Sequence, residues 1–228
     1  LTRHKLATRQ ELDDIEAAAA KKMEAARPEF TQEGCPDVDL VITTRELVDM
    51  IRETGIHLDE LELESPDLPF GLGSGAAVIY GVTGGVAESV VRHCLPDKTK
   101  NALRQVRVSG IRGDEPIREV TYDVDGTEIK IAVVNGLVHA KELIADVEAG
   151  KRFYHLVEVM SCQGGCVGGP KALVNREEGK KNVQAYSDEA QYNTPAENPY
   201  VIELLKKLGF ATVEEFLAKS DLYDRKFD

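Results

Sequence analysis

Two runs of alternating apolar residues, separated by Asp125-Gly126, constrain this chain more than any other feature. In REVTYDVDGTEIKIAVV (118–134), Val120, Tyr122 and Val124 alternate before that pair and Ile129, Ile131 and Val133 after it. A period of two puts each set on one face of a strand, and Asp-Gly between strands is the signature of a two-residue hairpin turn with positive φ. The following NGLVHAKELIADVEAG (135–150) reads as a helix stopped by Gly150, and FYHLVEVM (153–160) as the next strand.

Elsewhere the pattern keeps alternating between the two periods. The β-branched run VDLVITT (38–44) predicts a buried strand, and Thr43 with Glu46 forms a capping box for a helix over 44–54 that Gly55 ends. AAVIYG (76–81) predicts a short strand, which VTGG turns into a helix covering about 85–94, and 105–111 a third strand. The acidic, proline-containing 57–70 reads as a surface loop. Asn198-Pro199 opens a helix over 199–208 stopped by Gly209, and Thr212 with Glu215 opens a last short one. At the N-terminus, Thr8 and Glu11 cap a helix over 8–26 whose stripe is Leu12, Ile15, Ala19 and Met23. Its EAAAAKK (16–22) is close to sequences of engineered rigid spacers, which suggests a rebuilt or truncated N-terminus. The expected fold class is α/β: a mixed, mostly parallel sheet with flanking helices and one β-hairpin. Residues 1–27 are expected to form the N-terminal helix and 28–228 the main lobe.

Composition excludes several functions. A net charge of −12 opposes nucleic-acid and anionic-membrane binding. No run approaches the ~18 apolar residues of a membrane span, and the first residues lack the apolar stretch of a secretory signal. Four cysteines are too few for a disulfide scaffold at this length, so a reducing, cytoplasmic location is expected.

Most candidate sites dissolve on their context. GLGSGAAV precedes a predicted strand, whereas a dinucleotide fingerprint must follow one, and YGVTGG lacks the Lys-Ser/Thr of a phosphate loop. The histidines at 4, 57, 93, 139 and 155 have no metal-ligand spacing. EVMSCQGGCVGG (158–169) is different. Cys162 and Cys166 sit on a glycine-rich loop after a strand, thiolates are the ligands of iron–sulfur clusters, and glycines let backbone N–H groups approach cluster sulfides. The pair supplies two ligands where a cluster takes four. A reduced thiol pair in a tight turn and a labile disulfide remain open, and Cys35 and Cys94 complete a set only if folding brings them there.

Residues 156–169, LVEVMSCQGGCVGG, resemble the third signature of the [FeFe] hydrogenases, a Glu-x-Met-x-Cys-x3-Cys-x-x-Gly-Gly pattern. PDVDLVITTRELVDMI, GSGAAVIYGVTGGVAESVVR and the closing NPYVIELLKKLG resemble further stretches of the same catalytic domain, in the same order. The resemblance implies one lobe, the C-terminal one, of the iron-hydrogenase catalytic domain, whose H-cluster is a [4Fe-4S] cubane bridged by a cysteine to a diiron subcluster carrying CO, cyanide and an azadithiolate. It implies that Cys162 binds the cubane and that Cys166 also bridges to the diiron unit. Met160 would line the diiron pocket, with Tyr80, Gly81, Thr83 and Val86 near it. KKMEAARPEF resembles the tail of the second signature, where Lys21 would hydrogen-bond a cyanide and Glu24 would support the lysine.

The departures carry equal weight. The first signature, with a cubane cysteine and the proton-relaying cysteine, is absent from these residues. The second-signature cysteine falls at Ala18, its preceding Met-Pro is Glu16-Ala17, and Pro170-Lys171 replaces a third glycine and Gln-Pro. The expectation is therefore a fragment of a hydrogenase, supplying two cubane cysteines and inactive alone. Its partners would be the missing N-terminal lobe or another chain and, for the parent enzyme, a ferredoxin-type electron carrier. The alternative is a non-catalytic iron–sulfur-binding module, for sensing or cluster assembly, completed by a partner or by a homo-oligomer in which two chains pool their thiols.

Overall fold

The computed structural model describes residues 19, 21–23, 25–32, 34–65, 67–68, 71–95, 100–124, 126–169 and 172–220. In chain order its elements are β1 (Thr31–Gln32), β2 (Cys35–Pro36), α1 (Thr44–Glu53), α2 (Gly75–Val78), α3 (Gly85–Cys94), α4 (Lys100–Val106), β3 (Ile117–Val124), β4 (Thr127–Asn135), α5 (Leu137–Glu148), β5 (Leu156–Met160), α6 (Arg176–Glu189), α7 (Pro199–Lys207) and α8 (Val213–Lys219). The chain divides into two compact units.

The larger unit, Leu68–Gly169 with Val174–Ile202, is built on the hairpin. β3 and β4 pair antiparallel from Ile117↔Val134 to Val124↔Thr127, and Gly126 takes φ +80° with its N–H on Asp123 Oδ1 at 2.9 Å. Asp125 lies outside the described residues. α5 then carries the chain back so that β5 pairs parallel to β4, Ile131↔Leu156 through Asn135↔Met160. The three-stranded sheet, β3-β4-β5, is thus mixed, with one antiparallel and one parallel pair.

β4 is the central strand, and Ile131 to Asn135 are all buried. Ile131 and Val133 pack with Ala87, Val91, Val106 and Ile111 on one face. Ala132 and Val134 pack with Ala140 and Leu143 on the other. Helices cover both faces there, which is why the alternation of Ile129, Lys130 and Ile131 gives way to a continuous apolar run, Ile131 to Val134.

The smaller unit comprises Leu1–Asp67, Pro170–Leu173 and Glu203–Asp228. Its α1 is capped as the sequence predicts: the Thr43 N–H donates to Glu46 Oε2 at 2.6 Å and the Glu46 N–H to Thr43 Oγ1 at 3.3 Å. Gly55 follows at φ +72°. Of the N-terminal stripe, Leu12 and Ile15 lie outside the described residues, as do Thr8, Glu11, Glu16, Ala17, Ala18 and Glu24, and Met23 is exposed.

Three predicted strands are not strands. Residues 38–43 are irregular, with Val38, Leu40 and Ile42 exposed; a β-branched run makes a strand only where a neighbouring strand completes its ladder. AAVIYG is α2 followed by a 3-10 turn, Ile79–Gly81, because Ser74 caps it by accepting the Ala77 N–H at 3.3 Å. Residues 105–111 continue α4 into a π turn, Arg107–Ile111, closed at Gly110 with φ +96°. Two helices were not foreseen: α4, and α6, where Asn175 Oδ1 accepts the Glu178 N–H at 2.9 Å. The remaining predicted helices, 85–94, 135–150, 199–208 and the one after Thr212, form within a few residues of their expected limits.

Candidate metal centre

The Cys-x3-Cys loop is fixed at its start by β4. Asn135, the last residue of that strand, is buried; its Oδ1 accepts the Gly164 N–H at 3.3 Å, and its Nδ2 donates to Glu115 O at 2.8 Å. The Gly136 N–H donates to Met160 O at 2.7 Å. From there the loop folds on its own backbone, with Gly165 N–H on Cys162 O, Gly168 N–H on Gly165 O and Gly169 N–H on Cys166 O, at 2.9–3.0 Å. Gly164 and Gly165 have φ +83° and +94°, and two successive left-handed residues reverse the chain between the cysteines. Cys162 is partly buried, Cys166 is exposed, and neither forms a disulfide.

The 80–86 turn is locked against this loop. The Thr83 N–H donates to Gly164 O at 3.2 Å. A methyl group at Gly165 would lie 2.6 Å from Thr83 N and 2.8 Å from Gly81 O, so only glycine permits the approach. Behind it stands Glu158, on β5 and only 5% exposed. Its two carboxylate oxygens accept the N–H groups of Gly84 and Ala87, each at 2.7 Å, at the start of α3. One side chain thereby ties the strand that bears the cysteines to the helix that follows the turn. Burial holds the Glu158 carboxyl above its ordinary range and outweighs the opposing pull of those N–H groups and of Arg112. Next to it, Glu88 is buried and paired with Arg92 (Nε at 3.0 Å) and Arg112.

Of the residues the sequence singled out, the structure thus brings Gly81, Thr83, Cys162 and Cys166 to one place, with Met160 at the end of the supporting strand. Gly81 approaches Val167, which a methyl group there would meet at 3.7 Å. Tyr80 is 48% exposed and Val86 partly buried. Lys21 is exposed and belongs to the other unit. Three supporting residues were given no role by the sequence: Asn135, Glu158, read only as the Glu of the signature, and Arg176, whose Cδ lies 2.5 Å from where a methyl group at Gly164 would stand. A lone carboxylate inside the apolar run LVEVM was a signal for Glu158; Arg176 carried none, since its helix was not expected.

Among the described residues no group of three or more His, Cys, Asp and Glu side chains is placed to hold a metal ion. Cys35 and Cys94 are both exposed. The donor set fits an iron–sulfur cluster in kind, two thiols on a backbone-rich loop, and supplies two of the four ligands such a cluster takes. Two further observations suit a bound group. A methyl at Gly169 would sit 3.7 Å from Cys162 Sγ, so the space beside the thiol is kept free of side chain. Thr83 Oγ1 is buried with no hydrogen-bond partner.

The comparisons with known proteins agree with this reading. The sequence pattern of the family described as iron only hydrogenase large subunit, C-terminal domain, matches residues 15–170, and the chain belongs to that family. It is 42% identical over 194 residues to the NADP-reducing hydrogenase subunit HndD of Solidesulfovibrio fructosivorans, covering 82% of this chain and 33% of that protein. It is 33% identical over 158 residues to the cytosolic iron-sulfur assembly component 3 of Mus musculus, covering 65% and 32%. Among solved structures, the [FeFe]-hydrogenase HydA(deltaEFG) superposes with a TM-score of 0.61 at 29% identity, covering 88% of this chain and 59% of that one. The chain thus spans about a third of the length of these curated relatives. No helix among the described residues is long and apolar enough to cross a membrane.

Proposed function

We propose that this chain forms one wall of a hydrogenase cluster pocket, with Cys162 and Cys166 as two thiolate ligands of the [4Fe-4S] unit and Cys166 also bridging to the diiron subcluster. The observation that carries the reading is the cysteine loop itself, in a chain of this family, pinned by Asn135, Thr83 and Glu158 to a sheet and a helix that cannot shift independently. When bound, the H-cluster supplies the reversible oxidation of H2 to protons and electrons. The residues of this chain hold and shape its place. Glu158 fixes the loop against the 80–86 turn, and Thr83 offers a buried hydroxyl. Met160, Tyr80, Gly81 and Val86 would line the pocket of the diiron subcluster.

The two remaining corners need donors from outside this loop: a further stretch of hydrogenase polypeptide or another chain. Hydrogen chemistry therefore requires that complement, and electrons leave or arrive through a ferredoxin-type carrier. Four cysteines with no disulfide among them suit a reducing compartment, the cytoplasm. A second reading, an iron–sulfur-binding module for cluster assembly, draws on the 33% identity to an assembly component and on the alanine at position 18. An H2-evolution assay separates the two. Supplying a polypeptide that carries the first and second hydrogenase signatures, with a matured cluster, restores activity if the first reading holds. Cluster binding in that complex without H2 evolution supports the second.

A further inference from the structure

We propose that Arg176 is the countercharge of the cysteine loop, a positioning residue whose guanidinium stabilises the negative charge of a cluster held by Cys162 and Cys166. The inference rests on the reading above that these thiols bind such a cluster.

Arg176 opens α6 and lies across the loop. A methyl group at Gly164 would come within 2.5 Å of its Cδ and 2.9 Å of its Nε, and one at Gly168 would sit 2.8 Å from the same Nε. The arginine therefore rests on the two glycines that bracket Cys166, and both positions need glycine to make room for it. The helix it opens is held close by a third: a methyl at Gly179 would meet Val167 Cβ at 3.0 Å.

Among the described residues nothing accounts for the charge at this place. The Nε atom is buried with no hydrogen-bond partner, and among the described residues no carboxylate pairs with the side chain. Other arginines of the same unit have a carboxylate partner: Arg92 and Arg112 share Glu88, Arg107 meets Asp188 and Arg118 meets Glu115. The acids on the same turn of α6 are engaged, Glu178 with Asn175 and Glu177 with Lys180. A cation at the first position of a helix also opposes the helix dipole. In a chain with 40 acidic and 28 basic residues, a partly buried arginine without an acid is an unpaired cost unless its anion arrives with a ligand.

A thiolate-ligated cubane carries net negative charge and becomes more negative on reduction. A fixed cation beside it favours the reduced form, so Arg176 raises the midpoint potential. In the test, one electron passes from dithionite to the cubane and no bond to Arg176 changes.

The test uses the full 228-residue chain. A cubane is assembled anaerobically from ferric iron and sulfide in excess 2-mercaptoethanol, which supplies two electrons per cubane, leaving as its disulfide, and caps the irons that Cys162 and Cys166 do not hold. The reduced fraction is followed by EPR during a redox titration. Arg176→Gln is expected to lower the reduced-to-oxidised ratio at the wild-type midpoint by about tenfold, a shift of 59 mV for a one-electron couple. Arg176→Lys, which keeps the charge, retains the wild-type ratio within about threefold. If Arg176→Gln does not fold, Arg176→Met keeps the apolar stem over Gly164 and carries the same expectation. Unchanged ratios in a charge-removing variant that binds the cubane overturn the inference alone. A wild-type chain that takes up no cubane overturns the cluster reading and this inference with it.

Discussion

Glu158 shows how one buried side chain can organise a site while carrying none of its chemistry. Its two oxygens serve two N–H groups at the start of α3, and an amide in its place has one acceptor and one donor. Glu158→Gln should cost about 1–2 kcal/mol, because one of those N–H groups then faces an NH2. The pH dependence has a definite sign. The folded carboxyl titrates above its ordinary 4.5, so the folded state holds a proton that the unfolded state has released. This group's contribution to stability therefore falls as pH rises from 4.5 through the raised folded value, and is level beyond it. Urea denaturation at a series of pH values should show the wild-type advantage over Glu158→Gln shrinking across that window. Thr83 gives the opposite kind of prediction. Its hydroxyl is buried and unpartnered, so Thr83→Val should stabilise the metal-free chain by about 1 kcal/mol while weakening cluster retention. At this scale the sequence exposed the cysteines, whose spacing is their signal. Arg176 stayed hidden because its role depends on a helix that returns over the loop.

At the scale of elements, legibility followed whether a segment's partners were local. The 118–134 hairpin and the capping box of α1 are specified within a few residues, and both form as read. The runs at 38–44, 76–81 and 105–111 are apolar and β-branched, yet a strand is made by its neighbour, and these segments pack as coil, helix and π turn instead. α6 escaped notice because its composition is polar and it contains Gly179, a residue that serves close approach to Val167 rather than helix formation. The joint between the cysteine loop and the 80–86 turn yields the sharpest element-level prediction. At Gly165, φ is +94° and ψ −173°, and a methyl group would strike the backbone of residues 81–83. Gly165→Ala should cost at least about 3 kcal/mol, seen as a lowered melting temperature, and should abolish iron uptake even where the chain still folds.

For the whole molecule, a mixed sheet covered by helices on both faces presents the cysteine loop beyond the C-terminal end of a strand that runs parallel to its neighbour, the usual position for a site in an α/β layer. Membership of the iron-only hydrogenase family implies iron–sulfur chemistry, and a two-thiol donor set is half of what a cubane takes, so the proposed role is a share of a cluster site. Iron and acid-labile sulfide per chain after anaerobic reconstitution measure that share. With excess 2-mercaptoethanol present, about one cubane per chain is predicted for the wild type and none for the Cys162→Ala/Cys166→Ala double variant, whose fold is intact by circular dichroism. On removal of the thiol, the monomer is predicted to lose its cubane. A full cubane retained by the monomer without added thiol, or iron uptake by the double variant equal to the wild type, would contradict the account.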